Sequence, residues 1–190
     1  QRLGSGLAAK GKKGGGGMKR KSKVRLYNVI FPVWILMFWP SPPVVLITFF
    51  GNLAIDCLVV FFALLALKHL AKGAVLKGCW WKVWLLGFLS DVIGALWLAL
   101  GLFGSWALDA DGTAAGWVTE FATAMTLNPF RHPLALLWTA IGVAIAGVCI
   151  YFFDRRVFRS ESELDPRQSH RLALALAIVT APWLFFVPVY

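Results

Sequence analysis

Charged residues are scarce in this chain, at 15% of its 190 residues, and they are concentrated in a few segments. Soluble domains are about a quarter charged, so this scarcity argues against a soluble globular protein. Hydrophobic residues make up 59% of the sequence and the mean hydropathy is +0.71. A chain of this composition is expected to lie in a membrane.

Cysteine is also rare, with only Cys57, Cys79 and Cys149 and no pair spaced as CxxC. This excludes the patterns typical of a disulfide framework or a zinc site. The enzyme signatures HExxH and GxSxG and the phosphate-binding Walker loop are absent as well. We therefore expect no cofactor and lean away from an enzyme, while the metal content stays unknown.

Alternating apolar and polar positions in segments of about ten residues, typical of a membrane barrel, do not occur either. The apolar runs are continuous and predict an all-α integral membrane protein with about five transmembrane helices. The predicted spans are residues 26–39, 44–67, 83–108, 133–153 and 172–189. A spanning helix needs about 20 residues, so the first span is short, and a proline-rich turn at 40–43 follows it.

The positions of lysine and arginine predict the topology. Nine of the nineteen precede residue 26, and nearly all the others lie in segments 68–82 and 155–171. Basic residues favour the cytoplasmic side of a membrane, so five spans with the N-terminus inside and the C-terminus outside fit best. The expected location is the cytoplasmic membrane, as a multi-pass protein.

Residues 1–25 are predicted to form a flexible basic tail, and 26–190 the transmembrane domain. Residues 1–17, rich in glycine and lysine, precede Met18 and are either a flexible tail or a non-native leader. A basic tail beside a span attracts anionic lipid headgroups by roughly 1 kcal/mol per residue. The expected partners are therefore the lipid bilayer, anionic headgroups at this tail, and a second copy or a membrane partner subunit, with no nucleic acid.

Two lone carboxylates within the apolar runs are the main candidates for function. Asp56 and Asp91 lie at similar depths on consecutive predicted helices, where an ionisable group is costly and marks a functional site by default. Thr48 and Asn52 share one helix face with Asp56, and Ser90 precedes Asp91. These five residues are candidates for binding a proton or a cation. In the alternative interpretation, each aspartate is protonated and merely hydrogen-bonds across helices.

The leading functional hypothesis is membrane transport, or another proton- or cation-linked activity, through Asp56 and Asp91. The first alternative is a non-catalytic membrane subunit or interaction protein of a larger complex. The third is an intramembrane hydrolase, because intramembrane diaspartyl proteases resemble this chain in having two aspartates. Their flanking Tyr-Asp and Gly-x-Gly-Asp motifs are missing, since Ile55 precedes Asp56 and Ser90 precedes Asp91.

The predicted outer loop, 109–132, is a weaker candidate for a ligand or metal site. Its polar residues have no recognised metal-ligand spacing, and a proline-stiffened entry to the next span explains them as well. They are Asp109, Asp111, Glu120, Arg131 and His132.

The two other loops are expected to play supporting roles. Segment 68–82 is predicted to be a short interfacial amphipathic stretch. Segment 154–170, which begins with Asp154, is predicted to be a solvated cytoplasmic connector.

Overall fold

The computed structural model describes residues 42–113, 115–161 and 163–188, apart from the side chains of residues 42–45, 47 and 48. The predicted tail, 1–25, and the predicted first span, 26–39, lie outside the described residues. Within these ranges the chain is helical throughout its regular structure and contains no strand.

In the described ranges the fold consists of five α-helices and two short 3₁₀ helices. In chain order they are α1 (Pro42–Ala66), α2 (Lys72–Leu108), α3 (Gly116–Leu127), a 3₁₀ helix (Pro129–Arg131), α4 (Pro133–Arg159), α5 (Pro166–Val179) and a second 3₁₀ helix (Trp183–Phe186).

Among the described residues, four helical segments are long and apolar enough to cross a membrane, which confirms an all-α membrane protein in its general form. They are Phe49–Ala66, Lys72–Leu108, Pro133–Arg159 and Pro166–Phe186.

Proline and glycine set several helix boundaries. Pro133 and Pro166 occupy the first turns of α4 and α5, where the missing N–H is not needed. The Asp165 side chain and the Gln168 side chain form a reciprocal capping box at the start of α5. Gly112, with φ of 65°, provides the left-handed backbone in the turn after α2.

Helix α2 begins at Lys72 rather than at the predicted residue 83, so most of segment 68–82 belongs to this helix, and the interfacial location of that segment stays a prediction. At about 1.5 Å per residue, the 37 residues of α2 extend for roughly 55 Å. This exceeds the roughly 30 Å hydrocarbon thickness, so the helix must tilt or continue beyond the bilayer.

In the connector predicted over 154–170, α4 continues to Arg159 and α5 starts at Pro166, and Asp154 is buried rather than solvated. Helix α5 then ends at Val179, well before the predicted end at 189. The backbone beyond it is irregular at Ala181 and Pro182, which are both buried. Irregular backbone at membrane depth is tolerated where protein covers it.

The interface between α2 and α4 organises the bundle. Its best-defined contact joins two tryptophans. Trp97 Nε1 donates to the carbonyl of Trp138 at 3.1 Å, and Trp138 Nε1 donates to the carbonyl of Trp97 at 3.0 Å. The rings stack with centroids 4.4 Å apart. Gly101 lies directly under Trp138, where a Cβ would be 2.5 Å from the indole nitrogen.

The two ends of the bundle differ in charge. We call the end formed by residues 68–82 and 155–171 the basic end, because it has nine of the ten lysines and arginines in the described ranges. Its two segments meet where Lys82 and Glu161 form an ion pair of 3.7 Å. The opposite end, the far end, contains α3 and the 3₁₀ helix Pro129–Arg131.

Candidate functional site

Asp56 is buried on α1, with only 2% of its surface exposed. Its carboxylate lies against the backbone of α2, since a Cβ on Gly87 would be 3.4 Å from Asp56 Oδ2. That oxygen is inaccessible and has no hydrogen-bond partner among the described residues. The absence of a side chain at Gly87 therefore makes room for a carboxylate that no described residue neutralises.

Asp91 lies one helical turn beyond Gly87 on α2 and is partly buried. Its Oδ1 atom is inaccessible and lacks a partner among the described residues. Because Asp56 lies against Gly87, Asp91 is about 6 Å further along the helix that Asp56 faces. The two aspartates that the sequence singled out therefore lie on adjacent helices, within about one helical turn of each other along the bundle.

A third carboxylate, Asp154, belongs to the same region. It lies inside α4, is 1% exposed, and neither of its oxygens has a partner within the described ranges. Sequence reasoning missed it because Asp154 is followed directly by two arginines.

A periodic signal for Asp154 was nevertheless present in the sequence. Ile150, Asp154, Val157 and Phe158 are all buried on α4, with the i, i+4 and i+3 spacing of one helix face. The apolar stripe therefore continues past Asp154 for another turn, which the arginines obscured.

The contacts between α2 and α4 place the three carboxylates along the bundle. Gly94 on α2 packs against Ala146 on α4, since a Cβ added at Gly94 would be 3.0 Å from the Ala146 Cβ. Nearer the basic end, Gly78 lies beside Glu161. Because α2 and α4 run antiparallel between these two contacts, Asp154 on α4 lies opposite the turn of α2 that precedes Gly87. Asp154 and Asp56 are therefore at nearly the same level, and Asp91 is about 6 Å further toward the far end.

The remaining candidates of this group are not joined to the aspartates by a described hydrogen bond. Ser90 is buried, but its hydroxyl donates to the carbonyl of Leu86 at 2.8 Å. Asn52 is half-buried on α1, one turn before Asp56. Thr48 belongs to the same helix, and its proposed role stays a prediction.

The outer-loop candidates lie at the far end. Asp109 is half-buried at the end of α2, whereas Asp111 and Glu120 are exposed. Arg131 is exposed in its 3₁₀ helix, and the His132 ring meets the Phe121 ring edge-on with centroids 6.1 Å apart. Their role in ligand binding also stays a prediction.

No three histidine, cysteine or acidic side chains are grouped so as to hold a metal ion in the part of the chain that the structure describes. This applies both to the three aspartates and to the far end. The three aspartates are acceptor groups when ionised and gain a donor when protonated. The chemistry that their arrangement favours is the binding and release of protons.

These features define a membrane protein whose described residues are helical throughout their regular structure, with buried aspartates on α1 and α4 and a partly buried aspartate on α2. No family model, no curated protein and no solved structure matches this chain. The site must therefore be interpreted from its own geometry.

Proposed function

We propose that this protein is a small polytopic membrane protein whose transport activity is linked to protons, with Asp56, Asp91 and Asp154 as the proton-binding groups. The observation that supports this is the cluster of buried carboxylate oxygens without hydrogen-bond partners among the described residues. A purely structural aspartate would be expected to donate or accept a hydrogen bond across helices.

The electrostatic cost of this cluster is the physical basis of the proposal. Carboxylate charges repel one another, and the repulsion is stronger in the low effective dielectric of a helical bundle than in water. Desolvation adds a further cost for each charge that is buried. Because such groups cannot all remain ionised, at least one binds a proton, and a conformational change that exposes the cluster would release it.

The finer topology is part of the proposal. Helix α1 starts at the far end, and residues 68–82 and 155–171 share the basic end. If the basic end is cytoplasmic, a cytoplasmic N-terminal tail requires one more crossing before Pro42. We therefore propose five spans, N-terminus inside and C-terminus outside, in a cytoplasmic membrane. This topology can be tested with cysteines introduced as D111C and E163C in a background without native cysteines. An impermeant maleimide should label D111C only from outside and E163C only from inside.

Proton movement can be measured without knowing the transported substrate. The purified full-length protein is reconstituted in liposomes that contain a pH-sensitive dye, and a potassium diffusion potential drives protons inward. We expect D56N, D91N and D154N each to reduce the protein-dependent flux by at least about tenfold, since an amide cannot accept and release a proton at neutral pH. The matched control is D111N, the same change at an exposed far-end position, which should keep the flux.

A second measurement detects proton binding directly and does not require the transported substrate to be present. Infrared spectra of the protein in membranes, recorded across a pH series, report the carbonyl stretch of protonated carboxyl groups. We expect a titrating band in the native protein that is reduced in each of the three Asn variants and unchanged in D111N. The proposal is wrong if the native protein shows neither flux nor such a band, or if the three variants match D111N in both measurements.

A further inference from the structure

A group of arginines at the basic end takes no part in the carboxylate cluster. They line a shallow groove of about 500 Å³ between the end of α4 and the start of α5. We call it the arginine groove; its lining residues are Arg155, Arg159, Pro166, Arg167, His170 and Arg171. Within the described ranges none of the four arginines forms an ion pair. Four guanidinium groups without acidic partners make a strongly positive surface.

The groove is built by specific side-chain contacts. The Tyr151 hydroxyl and His170 Nδ1 share a hydrogen bond of 2.8 Å, which joins α4 to α5. The Arg155 guanidinium lies over the Tyr151 ring, 5.7 Å from its centroid, within cation–π range. Arg155 Nε is inaccessible and has no partner among the described residues. The two terminal nitrogens of Arg155 are not among the inaccessible atoms, and guanidinium N–H groups of this kind are suited to an oxyanion such as a phosphate.

Apolar side chains continue from the groove toward the membrane interior. On α4, Phe152 and Val148 follow Arg155 and Arg159 at helical spacing and are 59% and 54% exposed. Phe152 also lines an adjoining cleft of about 570 Å³ that shares Arg155 and Arg159. On α5, the exposed residues Leu174 and Ile178 follow Arg171 in the same direction. The surface thus changes from cationic to apolar along one direction, which matches a molecule with an anionic head and hydrocarbon chains.

We propose that the arginine groove binds the phosphate headgroup of an anionic phospholipid, with the acyl chains along Phe152, Val148, Leu174 and Ile178. Basic pockets between transmembrane helices at the membrane surface are suited to such headgroups. This site is formed by residues of α4 and α5, and it does not depend on the proton-linked activity. A free phosphate would satisfy the arginines but would leave the exposed apolar surface unused.

The test compares two pairs of charge-removing variants at the same end of the protein. R159Q/R171Q removes two exposed cations of the groove, and K68Q/K77Q removes two exposed cations of the α1–α2 region. Native mass spectrometry then counts phosphatidylglycerol molecules retained by the full-length protein after detergent washing. We expect retention to fall by about tenfold or more in R159Q/R171Q, as two charge-assisted hydrogen bonds are lost, and by less than about threefold in K68Q/K77Q.

Thermal unfolding in detergent provides the second measurement. Phosphatidylglycerol should raise the unfolding temperature of the native protein and of K68Q/K77Q, but not that of R159Q/R171Q. Equal loss of retained lipid in both pairs would overturn the site, because general attraction to positive charge would explain it. An equal stabilisation by inorganic phosphate at the same concentration would overturn the assignment to a lipid. If R159Q/R171Q fails to fold, R171Q alone is compared with K77Q.

Discussion

The two halves of the helical bundle differ in how their buried polar groups are accommodated. From Gly94 toward the far end, the α2–α4 interface is closed by the Trp97–Trp138 pair, and the Ser105 hydroxyl donates to the carbonyl of Leu102. From Asp91 toward the basic end, buried polar atoms lack partners among the described residues; they belong to Asp56, His69, Asp91, Asp154 and Arg155. Within the described part of the far half, His132 Nδ1 is the only buried polar side-chain atom that lacks a hydrogen-bond partner.

The far half therefore holds the helices together, whereas the basic half contains buried polar groups that lower the stability of the fold. Close glycine and alanine packing gives strong van der Waals contact between helices, where the hydrophobic effect between them is absent. Buried carboxylates without partners weaken a fold and are retained when they serve a function. The far half is therefore expected to anchor the bundle, and the basic half to undergo the changes that a proton-linked activity needs.

The largest effect on stability is expected at Gly94. A Cβ there would be 3.0 Å from the Ala146 Cβ and 3.0 Å from the Gly142 carbonyl oxygen, and the backbone atom cannot move aside easily. Gly94→Val should lower the free energy of unfolding by about 3 kcal/mol. Gly104→Val is the matched control, because nothing lies within 4 Å of its would-be Cβ. Thermal unfolding can be followed with a thiol-reactive dye that reports exposure of the buried Cys79; similar values for the two variants would contradict the proposed anchor.

An opposite and smaller effect is expected at Asp154. Asp154→Leu removes a buried carboxylate without a described partner and fills the space with an apolar group. It should raise the free energy of unfolding by about 1–2 kcal/mol at neutral pH, measured by the same dye assay. Asp111→Leu, at an exposed position, should change it by less than about 0.5 kcal/mol. A clear loss of stability in Asp154→Leu would mean that this carboxylate is structural and that the two halves are alike.

The smallest effect of the three is expected for the tryptophan pair. Trp97→Phe keeps an aromatic ring but removes the hydrogen bond to the Trp138 carbonyl. The loss should be about 1 kcal/mol, and the double variant with Trp138→Phe should show a coupling energy of about 0.5–1.5 kcal/mol. The double-mutant cycle uses unfolding by denaturant in mixed micelles. Strict additivity would show that the two reciprocal bonds and the stacked rings do not act as one contact.

Much of the membrane assignment followed from composition and apolar run length, because lipid imposes helices on any continuous apolar segment. Helix boundaries were less accurate where a charged residue continues a helix. Lys72 begins α2 and Asp154 lies within α4, although both residues were predicted to belong to loops. Local charge predicts exposure only when neighbouring helices do not cover it, and α4 is covered on that face.

The sequence by itself determined that the chain contains membrane-spanning helices, that its basic residues are asymmetrically distributed, and that Asp56 and Asp91 are exceptional. These properties depend on composition and on spacing along one helix. Only the tertiary structure decided that Asp154 joins the two aspartates, that Gly87 makes room for Asp56, and that four arginines line one groove. Such groupings depend on how helices distant in sequence pack side by side, and the register of that packing is fixed by contacts such as Gly94 on Ala146.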